Sequence, residues 1–205
     1  TDPLTLNEEQ NEAYTTISKS LHSENPKPIL LHGITGSGKT EVYLQATRTA
    51  LKLGKNVIIL VPEISLAPQT VQRFKARFHD LTDQIAILHS NLSQGERFDE
   101  WHRIRAGKAR IVIGARSAIF APVKDLGLII VDEEHEPAYK QENPPKYHAR
   151  DLAVVRCNLE KCAVVLGSAT PSLETYRNTQ LKRYQIVKMT ERADGASLPL
   201  TRVVD

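Results

Sequence analysis

"PILLHGITGSGKTEVYLQATRTAL", Pro28 to Leu51, runs from an apolar strand through a glycine-rich turn into a helical pattern, and its reading decides the fold. Within it "GITGSGKT", Gly33 to Thr40, satisfies G-x-x-x-x-G-K-[ST] at every specified position. That spacing suits an anion. Backbone N–H groups of Gly36, Ser37, Gly38 and Lys39 can wrap a β-phosphate at a helix N-terminus, where unpaired donors and the helix dipole both favour negative charge. Lys39 would reach the β/γ-phosphates and Thr40 would hold Mg2+. The bland alternative is a turn that matches by chance, and the strand before it and helix after it count against that.

Outward from this unit, short apolar runs alternate with helical patterns. "NVIILVP" (56–62), "IAILHS" (85–90), "ARIVIGA" (109–115), "LGLIIVDE" (126–133), "CAVVLGS" (162–168) and "YQIV" (184–187) are apolar nearly throughout, as strands buried on both faces read. Between them lie "APQTVQRFKARF", with Pro68 near its first turn, and "SQGERFDEWHRIRAG", which opens on a capping box of Ser93 and Glu96 and ends near Gly107. The pattern predicts an α/β fold, a P-loop NTPase domain with a mostly parallel sheet and helices on both faces. The last stretch, "MTERADGASLPLTRVVD", loses periodicity, so residues 1–190 read as the domain and 191–205 as a linker or the lead into a further domain.

Composition bounds the rest. A chain of 205 residues, 40% hydrophobic, is long enough for one well-packed domain. A net charge of +3 permits a polyanionic partner without requiring one. Cys157 and Cys162 have no second Cys/His pair at metal-ligand spacing, so they read as buried structural thiols in a reducing compartment, with no zinc site. No apolar run approaches the ~18 to 20 residues that span a bilayer, and the polar "TDPLTLNEEQ" carries no signal peptide, so the expectation is a cytoplasmic chain without a membrane partner. The chain does not begin with methionine, and we read it as a piece of something larger.

A nucleotide site also needs acids, and "LIIVDEEH" (128–135) supplies them at the end of a buried strand. Asp132 can coordinate Mg2+, and Glu133 can orient and deprotonate an attacking water. The alternative is a solvated charge cluster at a strand end. Other nucleotide enzymes fit less well: the chain has no N-K-x-D for guanine, and "NLSQGER" misses L-S-G-G-Q and is better explained by the capping box.

Together with "GSAT" (167–170), these blocks resemble motifs I, II and III of superfamily 2 helicases. "GITGSGKTEVYL", "VPEISLAPQT", "VIGARSAIFAP", "VDEEHEPAYKQ", "YHARDLAVVR" and "LGSATPSLE", in this order, are similar to the PriA family of primosomal replication-restart helicases over essentially the whole chain. The resemblance implies a RecA-like first helicase lobe from a bacterial DNA-dependent ATPase that unwinds 3′ to 5′ with ATP and Mg2+. It implies single-stranded and forked DNA, primosome proteins and single-strand-binding protein as partners, and zinc only in a part of the parent outside this chain. The rivals are a nucleotide-sensing interaction module and the first lobe of another superfamily 2 translocase, RecG-like or restriction-subunit-like. The family's catalysis draws on arginines of a second lobe, in a Q-x-x-G-R-x-x-R block that does not occur here.

Carried onto this chain, the family pattern puts nucleotide contacts on Gly36, Ser37, Gly38, Lys39 and Thr40, with Asp132 and Glu133 opposite. Gln10 stands where such helicases carry an adenine-reading glutamine; it also suits a helix-start cap beside Asn7. His135 would pass the γ-phosphate state towards Ser168 and Thr170, or be a satisfied histidine. Behind the acids, Tyr139 and Tyr147 offer faces for base stacking, and Lys140, Lys146 and Arg150 offer cations for phosphates. The family carries an aromatic-rich loop here that couples DNA binding to hydrolysis, although this chain reads "NPPK" (143–146) where a glycine and a further aromatic are common. The alternative is tyrosines packed beneath the lobe and a solvated charged face. Arg116 and Ser117 in "GARSA" (114–118) and the groups of "PEISLAPQ" (62–69) are further candidates for DNA, or structural caps. His79, His89, His102 and Trp101 share no spacing and receive no role.

Overall fold

The computed structural model describes residues 2–63 and 68–195. In chain order the elements are α1 (Glu8–Leu21), β1 (Ile29–Gly33), α2 (Lys39–Lys52), β2 (Asn56–Leu60), α3 (Pro68–Arg77), β3 (Ile85–Leu88), α4 (Gln94–Arg105), β4 (Ile111–Gly114) and β5 (Leu126–Val131). They continue with β6 (Lys140–Gln141), β7 (Tyr147–His148), α5 (Ala149–Glu160), β8 (Ala163–Ser168), α6 (Leu173–Gln180) and β9 (Gln185–Met189).

Each apolar run of the sequence is a strand of one sheet, ordered β3-β4-β2-β5-β8-β1-β9, and every pairing in it is parallel. Successive side chains of a strand point to opposite faces, so a strand covered on both sides must be apolar at every position. β2 shows this. Val57 and Ile59 pack with Val42, Phe74 and Phe78 on the face that carries α1, α2 and α3. Ile58 and Leu60 pack with Ile104, Ala153 and Cys157 on the face that carries α4 and α5. Both cysteines are buried free thiols, and Cys157 Sγ sits 3.3 Å from the carbonyl oxygen of Ala163.

The caps follow from short polar side chains. Ser93 accepts from the Glu96 N–H while the Glu96 carboxylate accepts from the Ser93 N–H, which starts α4. Asn7 and Gln10 form the same reciprocal pair at the start of α1.

The first residues of the expected linker, from Glu191, pack on the domain. The N–H groups of Thr190 and Glu191 donate to the Glu9 carboxylate at 2.6 and 2.9 Å, and the Ala193 N–H donates to the Gly36 carbonyl at 2.9 Å. The segment after β9 thus folds back over the phosphate loop through Ala193. Residues 196–205, the remainder of the expected linker, lie outside the described residues, as do 64–67 of "PEISLAPQ".

Candidate functional site

A parallel sheet collects the loops that follow its strands along one edge, where α/β folds hold ligands. β8 lies between β5 and β1, so the loop after β1 and the acids after β5 flank the end of β8. They share a cleft of about 770 Å³ lined by Thr35, Gly36, Gly38, Lys39, Thr40, Asp132 and Glu133, with Leu4, Thr5, Gln10 and Ala193 also on its walls.

The phosphate loop needs its glycines. Gly36 and Gly38 hold φ of 82° and 83°, the left-handed region that other residues rarely enter. A Cβ on Gly33 would stand 2.6 Å from Ser37 Oγ. Gly38 precedes α2 and supplies no side-chain cap, so the first N–H groups of the helix remain available to an anion. Ser37 is fully buried and its Oγ has no hydrogen-bond partner among the described residues, an orphaned donor inside the loop. Lys39 Nζ donates to the Gly33 carbonyl at 2.6 Å; burial lowers its pKa, and the charges of Glu133 and Asp132 oppose that shift. These groups fit a polyphosphate.

Across the cleft, burial raises the pKa of Asp132, against a hydrogen bond from Tyr43 and the nearby Lys39 cation. Glu133 is also raised, by burial and then by the charge of Asp132. Its backbone has φ of 48°, an uncommon value for a non-glycine residue and a form of strain that clusters at functional sites. A carboxylate on this side and the Thr40 hydroxyl on the other suit a divalent cation. Gln10 is the helix-start cap read for it, and it also lines the cleft. It closes the capping box, and its Nε2 donates to the Ser37 carbonyl at 3.2 Å, against Gly38.

The expected relay residues are in contact. His135 Nδ1 lies 2.6 Å from Ser168 Oγ, which also accepts from the Thr170 N–H at 2.9 Å. His135 Nε2 lies 3.7 Å from the Glu133 carboxylate, so a path of short contacts runs from the acid to the end of β8.

The loop behind the acids departs from expectation. Tyr139 is 1% exposed and belongs to the core on the α5 face, so it presents no ring face to a base; its hydroxyl donates to the carbonyl oxygen of Asp132. Arg150 is 7% exposed and pairs with Glu134 and Asp151, so it does not offer its cation to a phosphate. Both turn inward because the short Pro137–Tyr139 turn and the start of α5 cover the sheet there. Tyr147 is half-buried, its ring edge-on to Phe120 at 5.0 Å. Lys140 is exposed and paired with Glu142, and Lys146 is exposed. Arg116 donates to the carbonyls of Ala138 and Lys140, tying the loop after β4 to this one, and Ser117 beside it is exposed. With Pro62, His89 and Gln141, Arg116 and Ser117 line a second, smaller cleft.

Two side chains without an expected role stand out. Glu134, the variable letter of the D-E-x-H box, is fully buried and accepts from Arg150, Ser172 and Thr175, joining the acid loop to α5 and α6. Its signal in the sequence was a third consecutive acid, more than a solvated pair requires. Tyr43 is buried on α2 and donates to Asp132 Oδ1 at 3.0 Å.

The comparisons agree with this geometry. Residues 7–179 match the DEAD/DEAH box helicase model. The chain is 51% identical over all 205 residues to the replication restart protein PriA of Bacillus subtilis and 50% identical over 205 residues to that of Chlamydia trachomatis, spanning 25% and 27% of their lengths. Among solved structures, RecG bound to a three-way DNA junction aligns with a TM-score of 0.65 and 25% identity, covering 92% of this chain and 24% of that one. The Hef helicase domain of Pyrococcus furiosus has the same fold, with a TM-score of 0.62, 20% identity and coverage of 91% of this chain and 38% of that one. With phosphate loop and acid box facing each other across one cleft, and a family model matched over most of its length, the chain belongs to the DEAD/DEAH box helicases.

Proposed function

We propose that this chain is the ATP-binding lobe of a DNA-dependent helicase that acts in replication restart. The observation that carries the reading is the convergence of Lys39, Thr40, Asp132 and Glu133 on a single cleft. Loop amides and Lys39 hold the β/γ-phosphates, and Thr40 and Asp132 hold Mg2+. When bound, the metal neutralises charge on the phosphate oxygens. Glu133 takes the proton of the attacking water as its oxygen bonds to the γ-phosphorus and the bond to the bridging oxygen of ADP breaks. Its raised pKa brings it closer to the range of an effective base. Transition-state arginines come from a second lobe, so this lobe alone turns over near background.

Track contact falls to Arg116 and Ser117, which line the second cleft, and to the exposed Lys140 and partly exposed Tyr147 of the neighbouring loop. Single-stranded and forked DNA are the proposed tracks, with primosome proteins and single-strand-binding protein as partners of the parent molecule, in keeping with its PriA relatives. Tyr139 then serves as a link: the loop that touches the strand also holds the main chain of Asp132.

Calorimetry with Mg·ADP and Mg·ATP tests the nucleotide half. Lys39→Ala should weaken binding, and Glu133→Gln in the full-length protein should retain ATP yet lose DNA-stimulated turnover. Unchanged binding on Lys39→Ala would sink the reading; full turnover in Glu133→Gln would reassign the base.

A further inference from the structure

A helix, a strand end and a loop meet at one hydroxyl. Lys39, Thr40 and Tyr43 lie on the first turns of α2 at spacings of three and four residues, so they share one side of one rigid helix. Asp132 follows β5 and lines the nucleotide cleft, while Tyr43, 2% exposed, reaches its Oδ1 from the core side at 3.0 Å. Gly167 sits between them at the end of β8. A Cβ built there would overlap the Tyr43 hydroxyl, would lie 2.9 Å from Tyr43 Cζ and would stand 3.6 Å from Asp132 Oδ1. The Gly167 carbonyl meanwhile accepts from the Glu134 N–H at 2.9 Å, which fixes its own position.

We propose that Tyr43 is the positioning residue that aims the Asp132 carboxylate at a divalent cation, and that residue 167 is glycine because the tyrosine hydroxyl fills the space of a side chain there. The inference rests on the reading of Asp132 as the metal carboxylate. The chemistry is that of an outer-sphere partner. A carboxylate that ligates a hard cation through one oxygen needs its rotation fixed, and a hydrogen bond to the other oxygen does this at the cost of a single donor. A tyrosine suits the task because its buried phenol remains a donor at any working pH. Placing that donor on α2 gives the helix that binds phosphate a direct hold on the metal ligand, so both halves of the site move as one body.

The test uses the full-length protein and Mg2+ titrations of ADP binding, with binding in excess chelator as the metal-free reference. Tyr43→Phe should raise the Mg2+ concentration for half-maximal enhancement of ADP binding by on the order of tenfold, with metal-free ADP affinity unchanged. Asp132→Asn, the control, should shift the same midpoint at least as far. A shift in Asp132→Asn with none in Tyr43→Phe overturns the positioning role and leaves the nucleotide reading intact; no shift in either removes both. The glycine is tested by a double-mutant cycle read by thermal melting. Gly167→Ala should lower the melting temperature clearly in the otherwise native protein and less when combined with Tyr43→Phe, because the closest clash is with the hydroxyl while the 2.9 Å approach to Cζ persists. Strictly additive losses would overturn the assignment of Gly167.

Discussion

The loops after β1 and β5 and the stretch from Lys140 to His148 both leave the same edge of the sheet, yet they are built in opposite ways. In the first, Lys39, Asp132 and Glu133 are withdrawn from water far enough that burial leads each pKa shift. In the second, a two-residue antiparallel pair, β6 with β7, supports an exposed tip whose ion pair, Lys140 with Glu142, has side chains 59% and 71% exposed. Moving the first region means breaking desolvated contacts; moving the second costs little, because exposed pairs contribute little. On the proposed reading the lobe needs both, a stiff site for chemistry and a compliant surface for a track. The two are joined at Tyr139, whose hydroxyl holds the Asp132 carbonyl, and at Glu134, which ties the acid box to Arg150 on α5.

Removing the buried joint should have the largest effect. Glu134→Ala leaves Arg150 without its buried acid and strips Ser172 and Thr175 of their acceptor. A broken buried pair costs about 3 to 5 kcal/mol, or on the order of 10 °C of melting temperature for a domain of this size. Melting of the variant checks this. A loss no larger than that of a surface substitution would mean that the two regions are not joined through Glu134.

Tyr139→Phe should act more gently and more selectively. The ring still fills the core, and the lost hydroxyl removes one hydrogen bond, a net of ~0.5 to 1.5 kcal/mol. If the tip signals to the acids through this bond, stimulation of ATPase by single-stranded DNA should fall severalfold while Mg·ADP affinity, measured by calorimetry, changes less. Native stimulation in a slightly less stable protein would reduce Tyr139 to packing and leave the stiff and compliant regions unconnected at this point.

The same contrast explains what the sequence made legible. Strands such as "NVIILVP" are buried on both faces and must be apolar throughout, so their composition reveals them; the phosphate loop demands glycine where φ is positive, so its spacing reveals it. Between Pro137 and Lys146 there is no period of two or of 3.6 to say which way a side chain turns. Tyrosine and arginine are amphipathic enough to face either way, and here Tyr139 and Arg150 face inward. The partners that draw them in, the Asp132 carbonyl and Glu134, are set by tertiary packing, as is the contact of Ala193 with the phosphate loop. Tyr43 read only as a helical position, because its partner lies 89 residues away.

The smallest expected effect concerns the exposed tip. Among the described residues Lys140 pairs with Glu142, in water, so Lys140→Ala should leave the melting temperature unchanged. If the tip meets the DNA backbone, that lysine replaces a counterion at a phosphate, and its loss should make binding less salt-dependent. The slope of log K against log salt for single-stranded DNA should fall in magnitude by about 0.7, one phosphate's worth for a single strand. Lys146→Ala, at the other side of the same exposed turn, should behave alike if the whole tip lies on the strand, and differently if only one arm does. Arg116 provides the contrast: it is anchored to the Ala138 and Lys140 carbonyls, so Arg116→Ala should loosen the loop as well as remove a cation. A salt slope unmoved by both lysine variants, at a melting temperature equal to that of the native protein, would take the compliant region off the track and assign the contact to the groups around Ser117.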